Sequence, residues 1–255
     1  MVQERRPVTE ADIGVDTFLR IRLSALLPEA AWLSEETVDD ALRLSRRFVW
    51  VVDPIDGTRA YMSGLPDWAV CVALLDEGEP ILGVVHAPAS HATYTTLRGG
   101  GAQKNGGAIS TTPVSRLGEA RIAGPKPMLD ALARIEPFKP VDKIPSLALR
   151  LARIADGSID AGLISADARD WDLAAADLIL RESGGTMSGG GLQPGDAGAW
   201  RARRQRQRAV RAAACGDAAV ARDPIAASLT SLQAVYRHGC ALADHAALAP
   251  RARMA

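Results

Sequence analysis

The sequence predicts a mixed α/β protein with an amino-terminal α+β part and a carboxyl-terminal part of alternating strands and helices. Three observations carry this. A helical pattern opens the chain, apolar β-type runs joined by short turns fill residues 48 to 97, and from Arg121 strand and helix periods alternate. The 255 residues are 47% hydrophobic, enough to bury one large core or two modest ones. No apolar run is long enough to span a bilayer, and Met1 to Pro7 is polar and charged, unlike a signal peptide. A cytoplasmic protein is the expectation.

Thr9-Glu10-Ala11-Asp12 has the form of a capping box, and Val15, Phe18, Leu19, Leu23 and Leu26 follow at helical spacing, predicting a helix over Glu10 to Leu27. Asp12 already has a use here, as an acid in the first turn favoured by the helix dipole. Pro28 ends the helix. In the following Ser34-Glu35-Glu36, a strand would let at most one glutamate face a given site, whereas a loop would allow both. Val38 to Arg47 is charged and aperiodic and reads as a surface excursion.

Val49, Trp50, Val51 and Val52 fit a buried strand that ends in Asp53-Pro54-Ile55-Asp56-Gly57. Pro54 fixes φ and removes a donor, and Gly57 permits a tight turn, so Asp53 and Asp56 flank an exposed Ile55 carbonyl at an acidic elbow. Hard cations such as Mg²⁺ take carboxylate and carbonyl oxygens, so the elbow reads either as half a cation site or as an acidic turn after a core strand. Ala69 to Leu75 and Ile81 to Ala87 read as a hairpin or meander. A third run, Ala92 to Leu97, leads into Gly99-Gly100-Gly101 and then Asn105-Gly106-Gly107, both turn signals; the triplet lacks the ending of a phosphate loop.

Arg121 to Gly124 reads as a strand and Met128 to Ile135 as a short helix. Ser146 caps a helix with Leu147, Leu151 and Ile154 on one face, and Ile159 to Ile164 reads as a strand. Asp170-Trp171-Asp172 opens an amphipathic helix with Trp171, Ala174, Ala175, Leu178 and Ile179 on one stripe, closed by Gly184-Gly185. Asp172 in its first turn is explained by dipole compensation alone. Beyond Ser188 no clear strand is legible, and Ile225 to Tyr236 is the single helix candidate. From Gly191 onward there are ten Arg and no Lys against four Asp and no Glu, a balance of +6, so the preceding part of this net-neutral chain carries −6.

Cys71, Cys215 and Cys240 lack paired spacing and read as reduced thiols; His86, His91, His238 and His245 form no His-Glu-x-x-His pattern and read as structural or surface residues.

Taken in order and spacing, Val8-Thr9-Glu10-Ala11-Asp12, Ser34-Glu35-Glu36, Trp50-x-x-Asp53-Pro54-Ile55-Asp56-Gly57-Thr58 and Trp171-Asp172-Leu173-Ala174-Ala175 resemble the inositol monophosphatase family of Mg²⁺-dependent, lithium-sensitive phosphatases. Gly83-Val84-Val85-His86-Ala87-Pro88 and Arg59 look closest to the bacterial branch of 3′(2′),5′-bisphosphate nucleotidases and of family members without an assigned substrate. The resemblance runs from about Pro7 to Ser188. It implies an αβαβα sandwich of the inositol monophosphatase and fructose-1,6-bisphosphatase type. Residues 1–120 would form an α+β half with most metal ligands, and residues 121–190 an α/β half contributing Asp172. It implies further that Glu35, Asp53 and the Ile55 carbonyl hold a first Mg²⁺, with a weaker one on the Glu35 side, and that Asp53, Asp56 and Asp172 hold a second. Phosphate would meet the N–H groups of Gly57 and Thr58, Asp56 would lie against the substrate, and Asp12 with Thr58 would activate water beside Glu35. Li⁺ would inhibit, and the protein would be a homodimer acting on a small phosphorylated metabolite.

The sequence departs from that pattern in three places. Only six residues precede Pro7, where the family normally has a long helix, so that helix is expected to be absent or to lie upstream. Ser165 stands where inositol-specific relatives place an acid, leaving Asp167 and Asp170 as nearby polar candidates. Residues 191–255 form an atypical Arg/Ala-rich tail, expected to be disordered or the product of a shifted reading frame. Histidinol phosphatase activity, a non-catalytic family member and, more distantly, a nucleic-acid binder using Arg201 to Arg211 are the competing expectations.

Overall fold

The protein is described by a computed structural model covering residues 7–165 and 168–187. The expectations placed on Asp167, on residues 191–255, and on Cys215, Cys240, His238 and His245 lie outside the described residues.

Helix α1 (Glu10–Leu26) starts as the capping box predicts. Residues 31–34 form β1 (Ala31–Ser34), and the loop option holds for Glu35 and Glu36, which lie in the turn after it. The surface excursion holds too, with one 3-10 turn at Ala41–Ser45 and Val38 fully exposed. Strand β2 (Phe48–Asp56) runs beside β1 in parallel, and the α2 turn (Thr58–Met62) follows. Strands β3 (Ala69–Asp76), β4 (Glu79–Ala87), β5 (Ala92–Leu97), β6 (Ala102–Lys104) and β7 (Gly107–Ile109) continue as an antiparallel meander, giving a seven-stranded sheet in sequence order. After it come β8 (Arg121–Ala123), α3 (Lys126–Ala133), β9 (Lys139–Pro140), α4 (Leu147–Ala155), β10 (Ala161–Gly162) and α5 (Asp170–Glu182); β10, β8 and β9 pair as a small parallel sheet.

Side chains along β2, all buried, alternate between two cores. Phe48, Trp50 and Val52 face one core with Leu19 and Leu23 of α1, while Val49 and Val51 face the other with Ala174, Ala175 and Ile179 of α5. Helix α4 packs on α5 and on β10 of the small sheet. The order α1, large sheet, α4 with α5, small sheet gives α, β, α, β layers, and residues from both parts of the chain share one cluster. No helix among the described residues is long and apolar enough to cross a membrane.

The structure corrects four expectations. Strand β2 does not stop before the acids but runs through Asp56, with its pairing to β3 shifting between Asp53 and Asp56 around Pro54, which has no N–H for the ladder. The strand expected over Ile159 to Ile164 shrinks to Ala161–Gly162. Helix α3 begins and ends two residues earlier than predicted. Helix α5 is not amphipathic in place: every residue from Asp172 to Leu180 is buried, because the large sheet covers one side and α4 the other. The three-residue strands β6 and β7 were too short for a pattern to show.

Helix α5 lies so close to the sheet that a Cβ added at Gly83 would sit 2.7 Å from the Ala175 carbonyl oxygen. Gly83 therefore sets the depth at which α5 carries Asp172. Gly83→Ala should lower stability by about 1–3 kcal/mol, the usual cost of overpacking, measured by denaturant unfolding; an unchanged midpoint would contradict this close approach.

Candidate active site

Asp53 and Asp56 stand at the end of β2, and Asp172 faces them from the first turn of α5. One oxygen of each lies within 4.8 Å of the others, and all three residues are buried. The chain leaves the elbow through Gly57 at φ 94°, and a side chain there would press on the Asp67 carbonyl oxygen at 3.1 Å and on the Ser146 nitrogen at 3.3 Å. Asp172 is held by the Arg169 N–H, which donates to its Oδ2 at 2.7 Å.

The three carboxylates differ in what neutralises them. No N–H or O–H among the described residues donates to either oxygen of Asp53, though both are buried. Burial raises its carboxyl well above the ordinary range, and Asp56, Glu35 and Asp172 push it further. Asp56 has donors: Ser146 Oγ and the Ala148 N–H each reach its Oδ2 at 2.6 Å. Burial and the charge of Asp172 lift the Asp56 carboxyl to about 7 against the pull of those donors. Opposite Asp53 on β3, the Cys71 thiol is pushed up by burial and by the acids, so it stays protonated. An all-oxygen set with an undonated buried carboxylate at its centre suits a hard cation, which would supply the missing positive charge.

Asp12 fills two roles through separate oxygens. Oδ2 accepts from the Thr9 N–H at 2.7 Å and Oγ1 at 2.6 Å, completing the cap; Oδ1 lies 3.4 Å from Thr58 Oγ1. The Thr58 hydroxyl also reaches the Ile55 carbonyl at 3.0 Å, so Asp12, Thr58 and Ile55 meet beside the acids. The structure brings Glu35 close enough for its charge to act on Asp53, although it lies outside the compact group of three. Gly57 and Thr58 stand at the start of α2, where the first N–H groups have no partner within the helix.

Three residues went unread as parts of this site. Glu36 is raised to about 7 by burial first, then by Asp12, Glu35 and Asp16. Asp16 is buried one turn after Asp12 on the same face of α1 and accepts from the Ser34 hydroxyl, a signal available in the i, i+4 spacing. Ser146 was legible as a cap but not as a partner of Asp56.

A profile of the inositol monophosphatase family matches residues 2–217. The chain belongs to that family. It is 31% identical over 205 residues to the 3′(2′),5′-bisphosphate nucleotidase CysQ of Aggregatibacter actinomycetemcomitans, covering 76% of each chain. With the inositol-1-monophosphatase of Rhizobium meliloti it shares 32% identity over 203 residues, covering 75% of this chain and 76% of the relative. The crystal structure of the extragenic suppressor protein suhB from Bartonella henselae superposes with a TM-score of 0.64 at 27% identity, covering 73% of this chain and 76% of the other. As a member of the inositol monophosphatase family, the protein is a phosphoric monoester hydrolase with an acidic cluster able to hold metal.

The raised carboxyls carry a sign. The folded state keeps protons on Asp53 and Asp56 that the unfolded chain gives up near pH 4, so their contribution is full at low pH and lost as pH rises toward about 7. Without divalent cation, the thermal midpoint should fall by several degrees from about pH 5 to about pH 8, and Asp53→Asn should flatten that fall. A midpoint that is level or rises over this range would contradict the electrostatics described.

Proposed function

We propose that the protein is a Mg²⁺-dependent phosphomonoesterase of small phosphorylated metabolites, of the 3′(2′),5′-bisphosphate nucleotidase or inositol monophosphatase type. The observation that carries this is the undonated Asp53 carboxylate between Asp56 and Asp172, beside the Asp12–Thr58 pair. Glu35, Asp53 and the Ile55 carbonyl would hold one Mg²⁺, and Asp53, Asp56 and Asp172 another, with Li⁺ as an inhibitor. Bound Mg²⁺ supplies charge neutralisation, a more acidic water and a clamp on the attacking and leaving oxygens.

The chain's own groups do the rest. The Gly57 and Thr58 N–H groups receive phosphate oxygens, and Asp56 lies against the ester. Thr58 Oγ1 takes a proton from the attacking water while passing its own to Asp12 Oδ1, which stands 3.4 Å away. Glu35 adds negative charge that opposes ionisation of Asp53, a cost that bound cation would offset. An exposed Ser165, in place of an acid, supports a bisphosphorylated nucleotide over inositol phosphate as substrate. A homodimer in the cytoplasm completes the proposal.

The test is phosphate release from adenosine 3′,5′-bisphosphate, inositol 1-phosphate, histidinol phosphate and fructose 1,6-bisphosphate, with and without Mg²⁺. Release should require Mg²⁺, be greatest with the nucleotide, vanish in Asp53→Asn and fall roughly 10²–10⁴-fold in Asp12→Asn, the usual worth of a general base. A folded sample that binds Mg²⁺ but releases no phosphate from any of the four would instead support the non-catalytic reading.

A further inference from the structure

Asp53 and Asp56 are neighbours on one strand, yet their surroundings are opposite. No described N–H or hydroxyl donates to Asp53, whose carboxyl meets the Asp172 carboxyl instead. Asp56 is gripped by one of each. Its Oδ2 accepts from Ser146 Oγ and from the Ala148 N–H, both at 2.6 Å and both at the amino end of α4.

Ser146 is well built for this. Its hydroxyl donates to Asp56 while its oxygen accepts from the Leu149 N–H at 3.0 Å, so the two bonds fix the rotor from both sides. The residue is fully buried, and its own N–H donates to the Asp67 carbonyl oxygen at 3.3 Å. Asp67 in turn accepts from Arg153, about two turns further along α4, at 2.6 Å. At Gly57 there is no room for a side chain between the elbow and Ser146. The start of α4 is thereby locked against the elbow at several points, and rotating the Asp56 carboxylate would break two short bonds at once.

We propose that Ser146 is a positioning residue for the cation site, its hydroxyl holding Asp56 in the ligating orientation before any cation binds. This rests on the reading that Asp53, Asp56 and Asp172 hold divalent cation. Asp56 thus serves two partners, one oxygen being committed to α4. The helix from the second half of the chain becomes part of the support for ligands from the first.

The role separates from simple helix capping because glycine caps a helix within a few tenths of a kcal/mol of serine whereas alanine costs about 1 kcal/mol. Both lack the hydroxyl. The experiment is Mg²⁺ titration by calorimetry on the full chain, the Ser146→Gly and Ser146→Ala variants and Asp53→Asn, with metal-free thermal unfolding of each. Both Ser146 variants should bind Mg²⁺ roughly 10–100-fold more weakly, the usual cost of removing a partner that orients a ligand. Ser146→Gly should keep a near-parental metal-free midpoint, and the Mg²⁺ needed for half-maximal activity should rise more than kcat at saturating Mg²⁺ falls.

Parental affinity in both variants overturns the positioning role and leaves the phosphatase reading intact. Affinity that follows stability, lost in the alanine variant and kept in the glycine one, overturns it in favour of a cap. A parent that binds Mg²⁺ no better than Asp53→Asn overturns both.

Discussion

Three carboxylates taken out of water and turned toward one another are the constraint on which this structure depends. Repulsion among Asp53, Asp56 and Asp172 disfavours the fold as soon as they ionise, and Asp53 has no described donor to soften the cost. The scaffold must therefore hold the acids from outside. Strand β2 does so as a strand buried along its whole length with α1 on one face and α5 on the other, and α5 reaches depth only where Gly83 admits the Ala175 backbone. The apolar cores stabilise a site that is itself destabilising without cation.

The acids share a second feature. Asp12 caps α1, Asp172 lies in the first turn of α5 against the Arg169 N–H, and Asp56 accepts from the start of α4. Each sits at a helix amino end, where partial positive charge offsets part of the negative charge. Dipole compensation and catalytic placement, alternatives when each residue is taken alone, are compatible: Asp12 spends one oxygen on the cap and turns the other to Thr58. A helix start is a rigid mount for a carboxylate.

This explains what could be read from the sequence. The capping box, the β2 run with its acidic end, the meander through Leu97 and the helix after Asp170 are local patterns, and local hydrogen bonding or side-chain alternation enforces them. The four motifs together marked the family, and the structure brings Asp53, Asp56 and Asp172 into one group with Asp12, Thr58 and Ile55 beside it. What was not legible depends on contacts distant in the chain. The stripe on α5 is real, but Ala176 and Leu180 off that stripe are buried as well, because a second layer covers them. Ser146 is a plain N-cap until Asp56, far earlier in the sequence, is seen to accept its proton. Strands β6, β7 and β9, of two or three residues, carry too few side chains to show alternation.

The central claim is that the buried acids are a cation site. Its most direct test is a crystal of the protein soaked in Mn²⁺ and measured for anomalous scattering. A peak should lie about 2.0–2.3 Å from oxygens of Asp53, Asp56 and Asp172, the span of hard-cation ligation, and should vanish in Asp53→Asn. Soaked crystals with no peak there, or with the ion lodged instead among Glu36, Asp12 and Asp16, would contradict the account.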